Sequence, residues 1–200
     1  MAKLSVNSWL SPNGNLYEKR MKNKRSYFLS GNGMEWKMMK QAKTNAMRIL
    51  DKEKIDYTML TYRTDDGKID GISVAQKIGR EAGVVYKTLV SQGTSRAYYV
   101  FVIPVEAELD LKKAAKVVGE KKIEMIAVKD ITAVTGYVRG GCSPVGMKKL
   151  FPTVIDSRAE QMERIIVSGG NIGVQIELAV DGLLKATKGR LADVSTLPTA

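Results

Sequence analysis

The chain has 200 residues, 44% hydrophobic and 26% charged, the composition of a globular protein with enough apolar material for one sizeable core. It has no histidine, which removes Ser-His-Asp and Cys-His catalysis, imidazole general bases and every His-containing metal site. Lys and Arg number 32 against 21 Asp and Glu, a net charge of +11 that points to a polyanionic partner such as RNA, DNA or an anionic membrane surface, or else serves solubility alone.

The single cysteine, Cys142, can form neither an internal disulfide nor a thiolate zinc centre, so a reducing cytoplasm is the expected setting. The longest apolar stretch, 98–105, is interrupted by Pro104 and falls far short of the roughly 18 residues of a membrane-spanning helix. The first residues lack the apolar core of an export signal. No membrane association is expected.

The charge is uneven. Residues 1–40 carry Lys3, Lys19, Arg20, Lys22, Lys24, Arg25, Lys37 and Lys40 against Glu18 and Glu35, which is +6 of the +11. Both tryptophans, Trp9 and Trp36, fall here, with Pro12-Asn13-Gly14 and Gly31-Asn32-Gly33 as turn signals and no sustained period. Residues 1–38 therefore read as a mobile basic extension. It is either an arm that adds phosphate contacts or a leader upstream of a start at Met34, Met38 or Met39. Residues 39–200 read as one domain.

Within that domain, Ala42, Ala46, Ile49 and Leu50 recur at helical spacing. Residues 57–62 suit a strand, Asp65-Asp66-Gly67 a turn, and Ser73-Val74-Ala75-Gln76 a capping box opening a short helix that Gly79 can end. The alternating runs 84–90 and 97–105 predict two neighbouring strands. Asp110 can cap a helix over 111–118 that stops at Gly119. A strand over 123–128, a short helical turn near Asp130 and a glycine loop over 136–146 follow. Strands near 152–155, 164–167 and 174–178 come next, and a last helix over 180–186 closes the chain. Strands and helices do not alternate strictly, so the expected fold is α/β mixed (α+β): a barrel-like mixed sheet with helices packed outside.

Three segments could carry chemistry. Lys87, in Tyr86-Lys87-Thr88-Leu89, shares a strand face with Val85 and Leu89 and is either a snorkelling rim residue or one turned into a cleft. The loop 136–146 holds four glycines and a proline, which lets backbone N–H groups approach a developing negative charge, or simply makes a turn. It matches neither a Walker sequence nor GxGxxG. Ser168-Gly169-Gly170-Asn171-Ile172-Gly173 connects two strands and needs no function to explain it. Cys142 and Ser143 have the atoms of nucleophiles but no histidine to activate them.

Taken together, Tyr86-Lys87-Thr88-Leu89, Leu109-Asp110-Leu111-Lys112-Lys113, Gly136-Tyr137, Gly140-Gly141-Cys142-Ser143-Pro144, Ser168-Gly169-Gly170 and Ile176-Glu177-Leu178 resemble the YbaK/EbsC family in order and spacing. The resemblance covers about residues 39–195 and is nearest to the YbaK type, free-standing cysteinyl-tRNA(Pro) deacylases. It implies trans-editing of aminoacylated tRNA, without metal or cofactor, by a substrate-assisted route in which the cysteine thiol attacks its own ester carbonyl. By the same resemblance Lys87 contacts the terminal phosphate or ester, and Gly140 and Gly141 present backbone donors. Tyr62 and Thr88 line the pocket, Ser143 and Pro144 shape the loop, and Gly169 and Gly170 border the cleft. Docking on prolyl-tRNA synthetase is a further implied partnership; oligomeric state is left open. The chain departs from the founding type at Gln175, where that type has an acid, and at Asn171-Ile172, where it has a basic pair. A deacylase for alanyl-tRNA(Pro), or a module that binds RNA without hydrolysis, remains an alternative.

Overall fold

Thr44 decides where the first helix begins. Its backbone is extended and its Oγ1 accepts from the Met47 N–H at 3.3 Å, so α1 runs over Asn45–Lys52 with Ala46, Met47 and Leu50 buried. This computed structural model describes residues 27–29, 36–38 and 42–197. Trp9, the cations of 19–25 and residues 39–41 lie outside the described residues. The chain divides into two compact units, Met1–Ala42 and Lys43–Ala200. In the first, β1 (Tyr27–Leu29) and β2 (Trp36–Met38) pair antiparallel, strands of three residues that are too short to announce themselves by period; the Gly31-Asn32-Gly33 turn signal lies outside the described residues.

In the second unit α1 leads to β3 (Tyr57–Thr61) and α2 (Gly71–Lys77). The cap of α2 is Asp70, which accepts from the Ser73 N–H at 2.9 Å; Ser73 is the donor inside the first turn, not the cap expected from the sequence. β4 (Tyr86–Gly93) and β5 (Tyr98–Pro104) form an antiparallel hairpin with Lys87 opposite Ile103. After β6 (Glu108–Leu109), Asp110 Oδ1 accepts from the Lys112 and Lys113 N–H groups at 2.9 and 3.0 Å and starts α3 (Leu111–Val118), which Gly119 ends. β7 is only Ile123–Met125, because the chain turns into a 3-10 turn, Val128–Asp130, and α4 (Ile131–Thr135).

β8 (Thr153–Asp156), β9 (Arg164–Ser168), β10 (Val174–Ala179) and α5 (Val180–Thr187) follow the expected order. The chain does not close there. β11 (Arg190–Ala192) pairs parallel to β8, and β12 (Ser195–Thr196) pairs with β6. Both strands are too short for alternation to be read.

The larger sheet has the order β11-β8-β5-β4-β7, with β8 parallel to β5 and β11 and the other pairs antiparallel; the smaller is antiparallel, β3-β10-β9. The mixed α/β architecture is as expected, but the sheets do not close into a barrel. The bridge between them is a single parallel pair, Val85 with Ile166. Tyr86, Val90, Val100 and Val102 of the larger sheet face Ile165, Val167, Ile176 and Leu178 of the smaller, and α1 and α5 complete this main core with Leu50 and Leu183. On the other side, Phe101, Ile103 and Val154 pack against Ala114 and Ala115 of α3. A third cluster, Ala75, Val85, Val105 and Ile166 with Leu60 against it, lies under α2. Each fully buried Leu, Ile or Phe contributes about 1.5–3 kcal/mol.

The tail after α5 is tied by Asp156. This buried carboxylate accepts from the Arg158 N–H at 3.1 Å, the Ser195 hydroxyl at 2.7 Å and the Val194 N–H at 3.4 Å, and the Arg158 guanidinium stands 3.3 Å away. Removing the carboxylate leaves buried donors unpaired, so Asp156→Ala is expected to cost about 3 kcal/mol in urea unfolding and to speed hydrogen exchange at Val194. A loss under about 1 kcal/mol would mean the tail is held by something else.

Candidate active site

Strand alternation separates the two residues of the lysine motif. Tyr86 and Val90 face the main core, and Thr88 lies on their side of β4, whereas Lys87 lies with Val85 and Leu89 on the other. The Lys87 ammonium is half-buried and donates to the Val105 carbonyl at 3.2 Å. Burial pushes its pKa below the ordinary lysine value, and the nearby Glu108 carboxylate opposes that shift.

The Val85–Ile166 bridge continues this side of the larger sheet onto the smaller. Ser168 lies two residues beyond Ile166 on the same face of β9, and Gln175 is its cross-strand partner as well as that of Leu60. Lys87, Ser168 and Gln175 therefore occupy one side of the paired sheets, the side α2 covers. Tyr62, just after β3, donates its N–H to the Gly173 carbonyl at 3.0 Å, and its hydroxyl is buried without a partner, as is Thr88 Oγ1. A buried hydroxyl with no acceptor costs about 1–3 kcal/mol, a cost that a bound ligand would relieve.

Lys77 of α2 organises the loop between Tyr62 and Asp70. Its ammonium donates to the Arg63 carbonyl at 2.9 Å, the Lys68 carbonyl at 2.6 Å and the Asp66 carboxylate at 2.5 Å, and it stands 5.7 Å from the Tyr62 ring centre. The loop then delivers Ile69 to Gly140 and Gly71 to the Val105 side chain. Through Val105 and the segment 69–71, the Lys87 strand and the glycine loop belong to one neighbourhood.

The two glycine turns meet backbone to backbone. A Cβ at Gly141 would lie 3.0 Å from the Ile172 nitrogen and 3.1 Å from the Asn171 carbonyl carbon, and Gly140, at φ +81°, would put one 2.7 Å from Ile69 Cδ1. The Gly141 N–H is already donated to the Val138 carbonyl at 3.0 Å, so of the expected pair of donors it is Gly140 whose N–H has no partner among the described residues. Gly169 likewise spends its N–H on the Val174 carbonyl at 2.9 Å, and Gly170 packs against Tyr137 and Thr44. These two glycines hold the hairpin; they do not offer it. Ser143 is buried and its Oγ accepts from the Val145 N–H at 3.2 Å, with Pro144 buried beside it, so both shape the loop from within.

Burial pushes the Cys142 thiol up to about 11, which disfavours the thiolate at neutral pH. Tyr137, whose hydroxyl donates to the Val145 carbonyl at 2.7 Å, is raised to about 12 by the same burial. Ile69 and Lys77 carry no motif that a reading of the sequence could have found. Ser168 falls in the Ser168-Gly169-Gly170 motif and Gln175 at the position where the founding type has an acid, and both alternate opposite the inward Val167, Ile176 and Leu178.

A half-buried lysine and a backbone loop with an unpartnered N–H, linked through Val105 and the segment 69–71, lie on a mixed α/β scaffold. Residues 71–186 match the aminoacyl-tRNA editing domain, and the chain belongs to that family. The resemblance to the YbaK/EbsC group read from the motifs is borne out. A protein of Enterococcus faecalis, EbsC, named as a candidate Cys-tRNA(Pro)/Cys-tRNA(Cys) deacylase, is 47% identical over 156 residues, 78% of this chain and 95% of its own. A solved structure described as a candidate trans-editing enzyme for prolyl-tRNA synthetase shares the fold with a TM-score of 0.66 at 23% identity, over 78% of this chain and 99% of that one. A second, described only as a hypothetical protein, superposes at 0.70 with 20% identity, over 76% of this chain and all of the other.

Two substitutions test the geometry. Gly141→Ala must push the Asn171–Ile172 backbone away, and a loss of at least tenfold in activity is expected while the fold persists by circular dichroism; unchanged activity would mean the contact between the turns is dispensable. Lys87→Met removes a partly desolvated charge, so its melting temperature should not fall while activity drops by about 100-fold or more. A variant that melts early would make Lys87 a structural residue.

Proposed function

We propose that this protein is an aminoacyl-tRNA deacylase that clears cysteine from mischarged tRNA(Pro) in trans, in the cytoplasm. The observation that supports the chemistry is the state of Cys142: the chain holds no histidine and burial raises its one thiol to about 11, which agrees with the substrate-supplied nucleophile that the family resemblance implies. The cysteine esterified to the tRNA has its own thiol in reach of its own carbonyl. As thiolate it attacks that carbon, a C–S bond forms, the C–O bond to the ribose breaks, and the proton lost by the thiol ends on the ribose hydroxyl. Water then opens the thiolactone and releases cysteine. The intramolecular step gains its advantage from proximity, and proline and alanine, without a thiol, cannot take it.

The protein's own residues position and polarise. In this reading Lys87, with its charge partly removed from water, holds the phosphate or ester region of the terminal nucleotide. The Gly140 N–H faces the oxygen on which negative charge develops, an interaction worth about 3–4 kcal/mol in comparable sites. Tyr62 supplies a buried hydroxyl to the bound substrate. The relative from Enterococcus faecalis, with its printed deacylase name, supports the substrate class. Docking on prolyl-tRNA synthetase accounts for the choice of tRNA by so small a domain.

The test is release of cysteine, alanine and serine from tRNA(Pro). Cysteine should leave at least 100-fold faster than the others, and Cys142→Ser should keep the wild-type rate within about threefold. A dead Cys142→Ser variant would place the nucleophile on the enzyme. Fast release of alanine would assign alanyl-tRNA(Pro) as the substrate, and no release at all would leave an RNA-binding module.

A further inference from the structure

Lys87 is held by a turn whose position the far end of the chain decides. After β5 the Val105 N–H donates to the Val85 carbonyl at 2.9 Å and the Ala107 N–H to the Pro104 carbonyl at 3.0 Å. This turn presents the Val105 carbonyl to the Lys87 ammonium, 3.2 Å away, and both Val105 and Ala107 are buried. β6 follows at once, and its strand partner is β12: Thr196 stands opposite Glu108 and Ser195 opposite Leu109. Beyond them the Asp110 N–H donates to the Val194 carbonyl at 2.9 Å. β12 is itself anchored, because the Ser195 hydroxyl donates to the buried Asp156 carboxylate at 2.7 Å and Val194 packs with Phe101 and Ile103.

The carboxylate on this segment is unspent. Glu108 is exposed and makes no ion pair or side-chain hydrogen bond with any described residue. Yet it is the charged group that acts on Lys87: burial lowers the lysine from its ordinary value, and Glu108 opposes that shift. The other charged groups on the surrounding elements are engaged or turned elsewhere. Glu106, in the same turn, has its carboxylate 3.9 Å from where a Gly83 Cβ would stand. Asp70 caps α2 and Asp110 caps α3, while Lys77 pairs with Asp66, Lys113 with Asp193 and Arg80 with Glu177. Ser168 and Gln175, on the adjoining strands, carry no charge. A free carboxylate beside a lysine repels the anion that the lysine would bind. Within a working site its use is to set the state and direction of the ammonium.

We propose that Glu108 is a positioning residue for Lys87: its carboxylate, set by the pairing of β6 with the C-terminal strand, directs the ammonium that holds the substrate. The inference rests on the deacylase reading for the identity of that substrate. Two groups then steady the lysine from one short segment, the Val105 carbonyl by a hydrogen bond and the Glu108 carboxylate by its charge. Through β6 the strand 195–196 supports the site, although more than a hundred residues of chain separate it from Lys87.

The test uses the full chain with Glu108→Gln, Glu108→Asp and, in the same turn, Glu106→Gln as a control of equal charge. Lys87 is titrated by NMR of protein labelled at lysine Cε, its signal assigned by its loss in Lys87→Met, and turnover of cysteinyl-tRNA(Pro) is followed in parallel. Loss of the carboxylate leaves burial unopposed, so in Glu108→Gln the lysine should give up its proton at a lower pH than in the wild type. The alkaline limb of the rate profile should move down with it. kcat should fall by about fivefold or more while KM for the tRNA stays level or falls, because a negative charge has been removed from a site for a polyanion. Glu108→Asp should recover about half of the wild-type kcat or more, and Glu106→Gln should match the wild type in titration and, within about twofold, in kcat. A chain ending at Ser195 keeps the bond to Asp156 but loses the partner of Glu108, and its kcat should fall by about threefold or more. Should that chain not fold, the Glu108 variants decide alone. An unchanged Lys87 titration in Glu108→Gln, an unchanged kcat, or an equal effect of Glu106→Gln would overturn the proposal. The titration needs no turnover: a wild type that releases no cysteine refutes the deacylase reading, while a shift of Lys87 confined to Glu108→Gln leaves the positioning role standing.

Discussion

Val85 and Ile166 meet in a single parallel bridge, and the geometry of the site depends on it. Without that pair the three-stranded and five-stranded sheets would share only their common core, and nothing would relate the outer face of β4 to that of β9. With it, the face bearing Lys87 runs on to the face bearing Ser168 and Gln175, and α2 lies over both through Ala75. The junction is apolar and buried, with Val85 and Ile166 among the least exposed side chains, so it holds by exclusion of water more than by its ladder. A closed barrel would have distributed the coupling over many hydrogen bonds; here one edge carries it.

Several polar groups near this junction lack hydrogen-bond partners among the described residues. Tyr62 and Thr88 hold buried hydroxyls with nothing to bond, and Lys87 has only a neutral carbonyl for its ammonium. Each feature costs stability, and none is needed for packing. By contrast, Asp156 has four donors around it, and Glu120 accepts from Thr94, Ser95 and Tyr99, which holds its carboxyl at about 2. Ser91 Oγ, buried in β4 away from Lys87's neighbours, also lacks a partner, so an unsatisfied hydroxyl does not by itself separate scaffold from site.

Chemistry with so few reactive groups needs a reactive substrate. An aminoacyl ester is activated already, and a cysteinyl ester brings a thiol, so the protein's contribution reduces to grip, orientation and one or two dipoles. That division of labour makes sense of a site built from glycine turns and a lysine. It also explains why burying Cys142 beside Thr135 is harmless.

Much of the scaffold was legible from residues alone. The Asp110 cap and Gly119 stop of α3, the β4–β5 hairpin and the order of strands β8 to β10 follow from side-chain chemistry and period, which act over a few residues. The motif around Lys87 and the Gly140-Gly141 pair pointed to the candidate site only through the family resemblance, since each segment alone left a structural reading open. What the residues could not reveal is which atoms are spent. Gly141 and Gly169 have N–H groups bonded to Val138 and Val174, Asp70 and not Ser73 caps α2, and Lys77 folds a loop that carries Ile69 onto Gly140. Local sequence determined the identity of the functional groups and the strands and helices that bear them. The tertiary structure alone decided which of them remain free, because hydrogen-bond partners distant in the chain are chosen only when the sheets pack.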